Sequence, residues 1–489
     1  MAWYEFVILT IYFLALLFLF LYSLGQLHLT RKYLQKTKAS PEFGTLPSEL
    51  PRVTIQLPVY NEKFVVERLI DKVCAIEYPR SLLDIQVLDD SNDETSAIIN
   101  NKILRYQQKG FQIRHMRRNN RQGYKAGALA HGLEEALGDF VAIFDADFLP
   151  KSDFLLKTLP QFSDNKVGLV QTRWGHVNRD YSLLTKLQAF GLDAHFSIEQ
   201  SGRNSVNSFI NFNGTAGIWR KSCIYDAGGW SADTLTEDLD LSYRAQLKGW
   251  QFVYLEALES PAELPIMMTA IKSQQYRWNK GAAETSRKNL KKVLKKQLPL
   301  VTKVHATFHL LNSSVFLMLL IVGLLSLPLL LIKFNHPEYK LVFTLGNIFL
   351  VGFFAITYYF WVASKKAPYT KIKEGFFKTF VQFITLSMGL SLHNGLAVLE
   401  GLIGRRTPFV RTPKFNSVDK SSGAVNSDYA RFKPQLQTVI EFLLAIYFFL
   451  GIGLGIYLKD YGMLLFHLML GLGFLIVSFQ TLRPVSHAK

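Results

Sequence analysis

Asp139-Phe140-Val141-Ala142-Ile143-Phe144-Asp145-Ala146-Asp147-Phe148 is the stretch on which the fold turns. Its first half is a short apolar run that reads as a buried strand. Two carboxylates follow, two residues apart. At strand spacing, residues i and i+2 point to the same side. Asp145 and Asp147 would then present oxygen ligands together at the strand's carboxyl end. Hard cations such as Mg²⁺ or Mn²⁺ take one or two carboxylates plus substrate phosphates. Open α/β sheets also bind their ligands at that end of the strands. Taken alone, the motif reads better as a turn, because Asp is a common turn residue. Its surroundings reverse that preference.

Strand-like and helix-like segments alternate upstream of it. Residues 53–57 read as a strand that ends in Pro58-Val59-Tyr60-Asn61-Glu62. Residues 62–76 carry a helical stripe of Val65, Val66, Leu69, Ile70 and Val73. A second strand, 84–88, ends in Asp89-Asp90-Ser91, and a helix over 93–108 leads to a third strand, 111–115. A helix over 124–137 opens with Gly123-Tyr124-Lys125-Ala126-Gly127, and 139–144 is the fourth strand. This alternation predicts a mainly parallel sheet covered on both faces, with Asp89/Asp90 and Asp145/Asp147 at the ends of two strands. Downstream, 167–171 reads as a strand and 181–200 as a helix. Another helix starts at Thr236-Glu237-Asp238-Leu239-Asp240, and 251–255 is a further strand. A last helix, from about Pro265, carries Gln274-Gln275-Tyr276-Arg277-Trp278.

Hydrophobic residues make up 49% of the 489, and they concentrate in the first 24 residues and after about residue 305. That distribution predicts an integral membrane protein with one sizeable soluble domain. Segment 1–24 reads as a transmembrane helix with its amino end outside, since basic residues follow it and none precedes it. No signal-peptide cleavage site is evident. A Pro-punctuated linker fills 25–50, the soluble domain 51–300 and a membrane domain 301–489. Within the last, 308–332, 341–362, 436–457 and 461–482 read as spanning helices. Segment 376–402 is long enough to cross but holds Gln382, His393, Asn394 and Glu400. The loop 403–435 that follows carries Arg405, Arg406, Arg411, Lys414, Lys420, Arg431 and Lys433, and so belongs on the cytoplasmic side. Segment 376–402 is therefore expected to be interfacial or re-entrant, leaving five spanning helices; a sixth crossing is the alternative.

The net charge of +17 sits largely beside apolar segments, as at Arg31, Lys32, Arg287, Lys288, Lys365 and Lys366. It points to anionic lipid rather than nucleic acid. Cys74 and Cys223 are too few for a disulfide framework or a cysteine zinc site, which suits a reducing cytoplasmic domain.

Several side chains have chemistry of their own. Lys125, near a helix amino end, can meet phosphate with charge and backbone N–H groups together; otherwise it is a solvated lysine. Trp278 offers a flat apolar face on which a sugar ring stacks; otherwise it anchors the helix at a membrane interface. Arg277 and Gln274 share its helix at i and i+3, a cation and an amide on one face.

Asp89-Asp90, Asp145-Ala146-Asp147, Thr236-Glu237-Asp238 and Gln274-x-x-Arg277-Trp278, in this order and followed by transmembrane helices, resemble the processive family 2 glycosyltransferases. Cellulose, hyaluronan and chitin synthases belong to that group. The resemblance is nearest to cellulose synthase-like proteins of the glucomannan 4-β-mannosyltransferase type, and covers roughly residues 1–480. It implies a cytoplasmic α/β domain of GT-A-like (nucleotide-diphospho-sugar transferase) fold inserted between transmembrane helices. It implies a multi-pass protein of the cell (inner) membrane that extends a β-linked glycan from a nucleotide sugar, GDP-mannose or UDP-glucose, with inversion, and passes the polymer through its own helices. The implied cofactor is Mg²⁺ or Mn²⁺, held by Asp147 with Asp145. Asp89 and Asp90 would bind the donor's nucleoside, with Lys125, Asp145, Asp147, Gln274 and Arg277 also on the donor.

Inversion needs a base for the acceptor hydroxyl's proton. The resemblance assigns that role to Asp238, whose competing reading is a helix-terminal acid stabilised by the dipole. Glu237 beside it, with Trp278, would face the acceptor. Phe409-Val410-Arg411-Thr412-Pro413-Lys414 resembles the cytoplasmic gating loop of cellulose synthases, in which Phe409, Thr412 and Lys414 would approach the nucleotide. Arg411 departs from the apolar residue usual there. The alternatives are a transferase that adds one sugar to a membrane lipid, and a non-catalytic glycan channel or nucleotide-sugar sensor.

Overall fold

The structure, a computed structural model, describes residues 2–35, 44–366, 375–407, 414 and 436–482. Seven strands form one sheet: β1 (Val53–Val59), β2 (Leu83–Asp89), β3 (Ile113–Arg117), β4 (Phe140–Ile143), β5 (Val167–His176), β6 (Gly217–Arg220) and β7 (Gln251–Ala262). Their order is β3-β2-β1-β4-β6-β5-β7. The first four pair in parallel, as expected of buried apolar strands joined by helices. β6 is antiparallel to both β4 and β5, and makes the sheet mixed. It is the strand that sequence reasoning missed: Gly217-Ile218-Trp219-Arg220 lacks the continuous apolar run that announces the equally short β4.

The sheet is covered on both faces. Val53, Ile55 and Leu57 pack under the helices Val66–Cys74 and Thr95–Gln108, through Leu69, Ile70, Val73, Ile99 and Ile103. Val141, Ile143 and Trp219 pack on the other face with Leu129, Leu133, Leu241 and Ala245, from the helices Tyr124–Glu134 and Glu237–Leu247. Because β1 lies between β2 and β4, the two carboxylate pairs face each other across the end of β1 rather than ending adjacent strands.

β5 and β7 run past their expected ends at 171 and 255, pairing as far as His176 and Ala262. This extension carries Trp174. The helix expected over 181–200 is Leu183–Ala194, continued by a π-helical turn, His195–Glu199, and by Gln200–Ser205.

Among the described residues, five helices have the length and apolarity to cross a membrane: Trp3–Gln35, Ser314–Asn335, Pro337–Lys366, Leu436–Tyr457 and Leu464–Leu482. The first continues well beyond residue 24, into the stretch expected to be linker. The pair Phe376–Gly389 and Ser391–Ile403 is bent by 50°. Gly389 marks the bend for a packing reason: a Cβ there would lie 2.2 Å from the Gly473 carbonyl oxygen of the last helix. The helix Met268–Lys295, here called the bridging helix, joins the catalytic sheet to this membrane region and packs along Ser391–Ile403.

Candidate active site

Asp89 is the last residue of β2 and is buried. Its carboxylate accepts from the Ser91 backbone N–H at 2.9 Å, the Ser96 hydroxyl at 2.6 Å and His115 Nε2 at 2.9 Å. Burial opposes its ionisation. The bonds from His115, Ser91 and Ser96 outweigh that and hold the carboxyl at about 2. In this structure Asp89 therefore organises the loop after β2. Asn61 staples the loop after β1 to it: its backbone N–H donates to Ser91 Oγ at 2.9 Å, and its side chain exchanges hydrogen bonds with Asn92.

Asp90 is gripped by the two-nitrogen fork of Arg118, with Nε at 2.9 Å. The same guanidinium donates to the carbonyls of Gln122 (2.8 Å) and Tyr124 (3.0 Å). Arg118 thus ties the end of β2 to the turn that opens the helix Tyr124–Glu134. That turn needs Gly127, because a Cβ there would lie 2.1 Å from the Gln122 oxygen and 2.6 Å from Arg118 Nη1. Arg121 lies 3.3 Å above the centre of the Tyr60 ring. Sequence reasoning missed both arginines; their only signal was a basic run just before Gly123.

β4 ends at Ile143, and Asp145 and Asp147 lie in the turn beyond it, closed by the Phe148 N–H donating to the Asp145 carbonyl at 3.0 Å. Strand alternation therefore does not orient them, and each carboxylate has its own cation. Asp145 pairs with Lys125, and its backbone N–H donates to Thr215 Oγ1 at 2.9 Å. Asp147 Oδ2 accepts from the Glu263 N–H at 3.1 Å and from Lys414 at 2.7 Å. Phe409 and Thr412 lie outside the described residues.

The segment after Phe212 passes beneath this pair. Lys125 donates to the Gly214 carbonyl at 2.8 Å. Gly214 has φ +80°, and a Cβ there would stand 3.2 Å from Asp238 Oδ2 and 3.4 Å from Lys125 Nζ. Ala216 has φ +55°, a conformation that costs a non-glycine residue about 1–3 kcal/mol and persists where its neighbours impose it. Gln171 imposes it: its amide donates to the Thr215 and Ala216 carbonyls, and its oxygen accepts from the Asn213 N–H.

Glu237 and Asp238 open the helix Glu237–Leu247. Loss of hydration, first, and the neighbouring Glu237 charge push Asp238 up to about 7, against the pull of Lys125. Burial raises Glu237 too, again opposed by Lys125. The helix dipole favours ionised acids here, and these two effects outweigh it. Burial likewise raises Asp145 against the pull of Lys125. Asp240 turns away into the core, bonded to Arg244, Lys288 and Asn289 at 2.8–2.9 Å.

The bridging helix closes the site. Gly281 lets it approach: a Cβ there would lie 2.6 Å from Thr236 Cγ2 and 2.8 Å from Thr236 N. Gln274, Arg277 and Trp278 lie on the same helical face as Gly281, and Arg277 sits in the field of Glu237, Asp145, Glu62 and Asp238. Trp278 meets Trp174 at 6.4 Å between ring centres, and Trp174 meets Phe148 at 5.2 Å. Trp174 thus joins Trp278 to the residue after Asp147. Sequence reasoning missed it because its strand runs beyond the apolar core that signals it.

Chemically, the site offers a carboxylate near neutrality, cations for a diphosphate, a sugar-stacking indole, and two carboxylates. Among the described residues no group of three or more His, Cys, Asp or Glu could hold a metal. Two oxygen donors that each already attract an ammonium nevertheless suit a divalent cation completed by phosphate oxygens.

A family model described as glycosyltransferase-like family 2 matches residues 51–295, half of the chain. The chain is 45% identical over 288 residues to a probable glucomannan 4-beta-mannosyltransferase 4 of Oryza sativa subsp. japonica, covering 58% of this chain and 52% of that protein. It is 44% identical over 267 residues to glucomannan 4-beta-mannosyltransferase 9 of Arabidopsis thaliana, covering 53% and 50%. The chain spans about half the length of the curated relatives it matches. Among solved structures, a mannosyltransferase from Pyrobaculum calidifontis, in complex with GDP-Man and Mn²⁺, has TM-score 0.51 at 20% identity and covers 75% of this chain and 99% of its own. That likeness establishes the fold expected from the sequence, a GT-A-like domain.

Proposed function

The chain belongs to the glycosyltransferase-like family 2, and from that premise we propose that it is an inverting membrane hexosyltransferase that elongates a β-linked mannan-, glucomannan- or glucan-like polysaccharide. The observation that carries the reading is the approach of Asp238 and Lys125 across the Gly214 backbone, with Asp145 paired to the same lysine. A proton acceptor and a phosphate-binding cation thereby share one turn.

The acceptor hydroxyl attacks C1 of the donor sugar opposite the nucleoside diphosphate. The new C1–O bond forms as the bond from C1 to the phosphate oxygen breaks, and the hydroxyl proton passes to the Asp238 carboxylate. Lys125 and Arg277 face the diphosphate, while Trp278, with Glu237 nearby, supports the acceptor sugar. Asp147 and Asp145 would hold Mg²⁺ or Mn²⁺, which when bound offsets the charge developing on the leaving group. For that, Lys125 and Lys414 give up their carboxylates and turn to phosphate. Glucomannan mannosyltransferases among the relatives, and GDP-Man with Mn²⁺ in the structural neighbour, support GDP-mannose as the donor. The basic stretches beside the apolar helices support a cytoplasmic catalytic domain in the cell membrane, and the bend at Gly389 supports a re-entrant reading of 376–402.

The test is a panel of GDP- and UDP-sugars given to the purified protein in lipid vesicles, with Mg²⁺, Mn²⁺ or chelator, scored by nucleoside diphosphate release and product length. GDP-mannose should give chains of many sugars, and chelator should abolish them. One sugar per lipid would overturn the polymerase reading, and no release with any donor would overturn the enzyme reading.

A further inference from the structure

The bridging helix carries a second polar stripe, turned away from the catalytic carboxylates. Lys272, Gln275, Tyr276 and Lys280 lie at helical spacing i, i+3, i+4 and i+8, opposite Gln274, Arg277, Trp278 and Gly281. Each has a partner in the membrane region. Lys272 Nζ lies 2.7 and 2.9 Å from the two carboxylate oxygens of Glu441, which is fully buried. The Lys272 carbonyl accepts from His393 Nε2 at 2.9 Å. That bond fixes the histidine tautomer, so His393 Nδ1 accepts from the Gln437 amide at 2.9 Å, and Gln437 in turn reaches Glu441 at 3.5 Å. The bonds close a ring that grips Lys272 by both side chain and carbonyl. One turn on, Gln275 accepts from Asn394 at 2.7 Å and the Tyr276 hydroxyl donates to Glu400. Lys280, fully buried, donates to Thr407 at 2.7 Å and lies 3.5 Å from Glu400.

A buried ion pair is often a poorer stabiliser than apolar side chains of the same volume, and in some proteins it serves instead to fix register. A helix that needed only adhesion here would be served by leucines. We propose that this stripe is a positioning device: Glu441 and Glu400 clamp the bridging helix at one rotation and one height, and thereby hold Arg277 and Trp278 in register with Asp238 for transfer to the acceptor. The inference rests on the proposed donor and acceptor roles of Gln274, Arg277 and Trp278. Glu400 stands near the end of Ser391–Ile403 and Glu441 near the start of Leu436–Tyr457. The clamp therefore joins two helices of the membrane region to the face of the bridging helix opposite its catalytic one.

The test compares Glu441→Gln, Tyr276→Phe, the apolar pair Lys272→Met/Glu441→Leu and the exchanged pair Lys272→Glu/Glu441→Lys in full-length protein in vesicles. Polymer transfer, nucleoside diphosphate affinity and thermal unfolding are measured for each. A misregistered helix should slow transfer by about ten- to a hundredfold, while nucleotide affinity falls far less, because the proposed donor contacts Asp89 and Lys125 lie on other elements. The apolar pair should restore the melting temperature but not the transfer rate, and the exchanged pair should restore part of the rate. Tyr276→Phe removes one hydroxyl from a folded protein and should show the same split in milder form. The proposal is overturned if transfer, nucleotide affinity and stability fall together in Glu441→Gln and Tyr276→Phe, or if the apolar pair recovers full transfer along with stability. An inactive wild type would instead refute the transferase reading.

Discussion

Asp238 occupies a helix amino terminus, where the dipole favours an ionised acid, yet dehydration and the Glu237 charge carry it to about 7. A base works best with a pKa near the operating pH. Because the folded site raises this pKa and only the ionised form accepts a proton, kcat/KM should climb about tenfold per pH unit below neutrality and level off above it. Asp238→Asn should lower transfer by roughly a hundred- to ten-thousandfold and abolish that acid limb, with nucleoside diphosphate affinity by calorimetry retained. An unchanged pH profile in the variant would move the base elsewhere. The carboxylate motifs were legible in the sequence because several acids at strand and helix ends are rare together. Their partners were not. Arg118 on Asp90, His115 on Asp89 and Lys414 on Asp147 come from 26 to 267 residues away in the chain, and no local spacing announces such pairs.

At the scale of elements, contact between the helix Glu237–Leu247 and the bridging helix sets the distance between the proposed base, Asp238, and Trp278. Gly281 permits that contact, with Thr236 packed where a side chain would be. Gly281→Ala should push the two helices apart, costing about 1–3 kcal/mol of stability by overpacking. It should also reduce transfer more than nucleotide binding, since Lys125, the other proposed diphosphate cation, stands on a different helix. Thermal unfolding beside a nucleotide titration checks both halves, and an unperturbed transfer rate would show that the contact is not critical. Periodicity revealed the helices that flank this joint. It did not reveal β6, whose four residues are recognisable only when paired between β4 and β5. Nor did it reveal that the chain leaves β4 before Asp145, since apolar Phe144 prolongs the strand pattern by one residue.

Across the described residues, a mixed sheet is set beside five helices able to cross a membrane, with the bridging helix between them. If the proposed polymer leaves through those helices, vesicles with the catalytic face outward should accumulate product that an added β-glycanase cannot reach until detergent is present. Product digested without detergent would separate synthesis from export. By itself, the sequence determined six of the seven strands, the main helices and candidate spans, and which acids are available for chemistry. These follow from the period of apolar residues and the cost of burying charge, both properties of a local window. Only the tertiary structure decided how the carboxylates of Phe144–Phe148 are used. Asp145 meets Lys125, Asp147 meets Lys414 and Glu263, and Asp238 approaches Lys125 across Gly214. A turn has no side-chain period of its own, so the direction of each carboxylate is set by whichever distant group the fold brings to it.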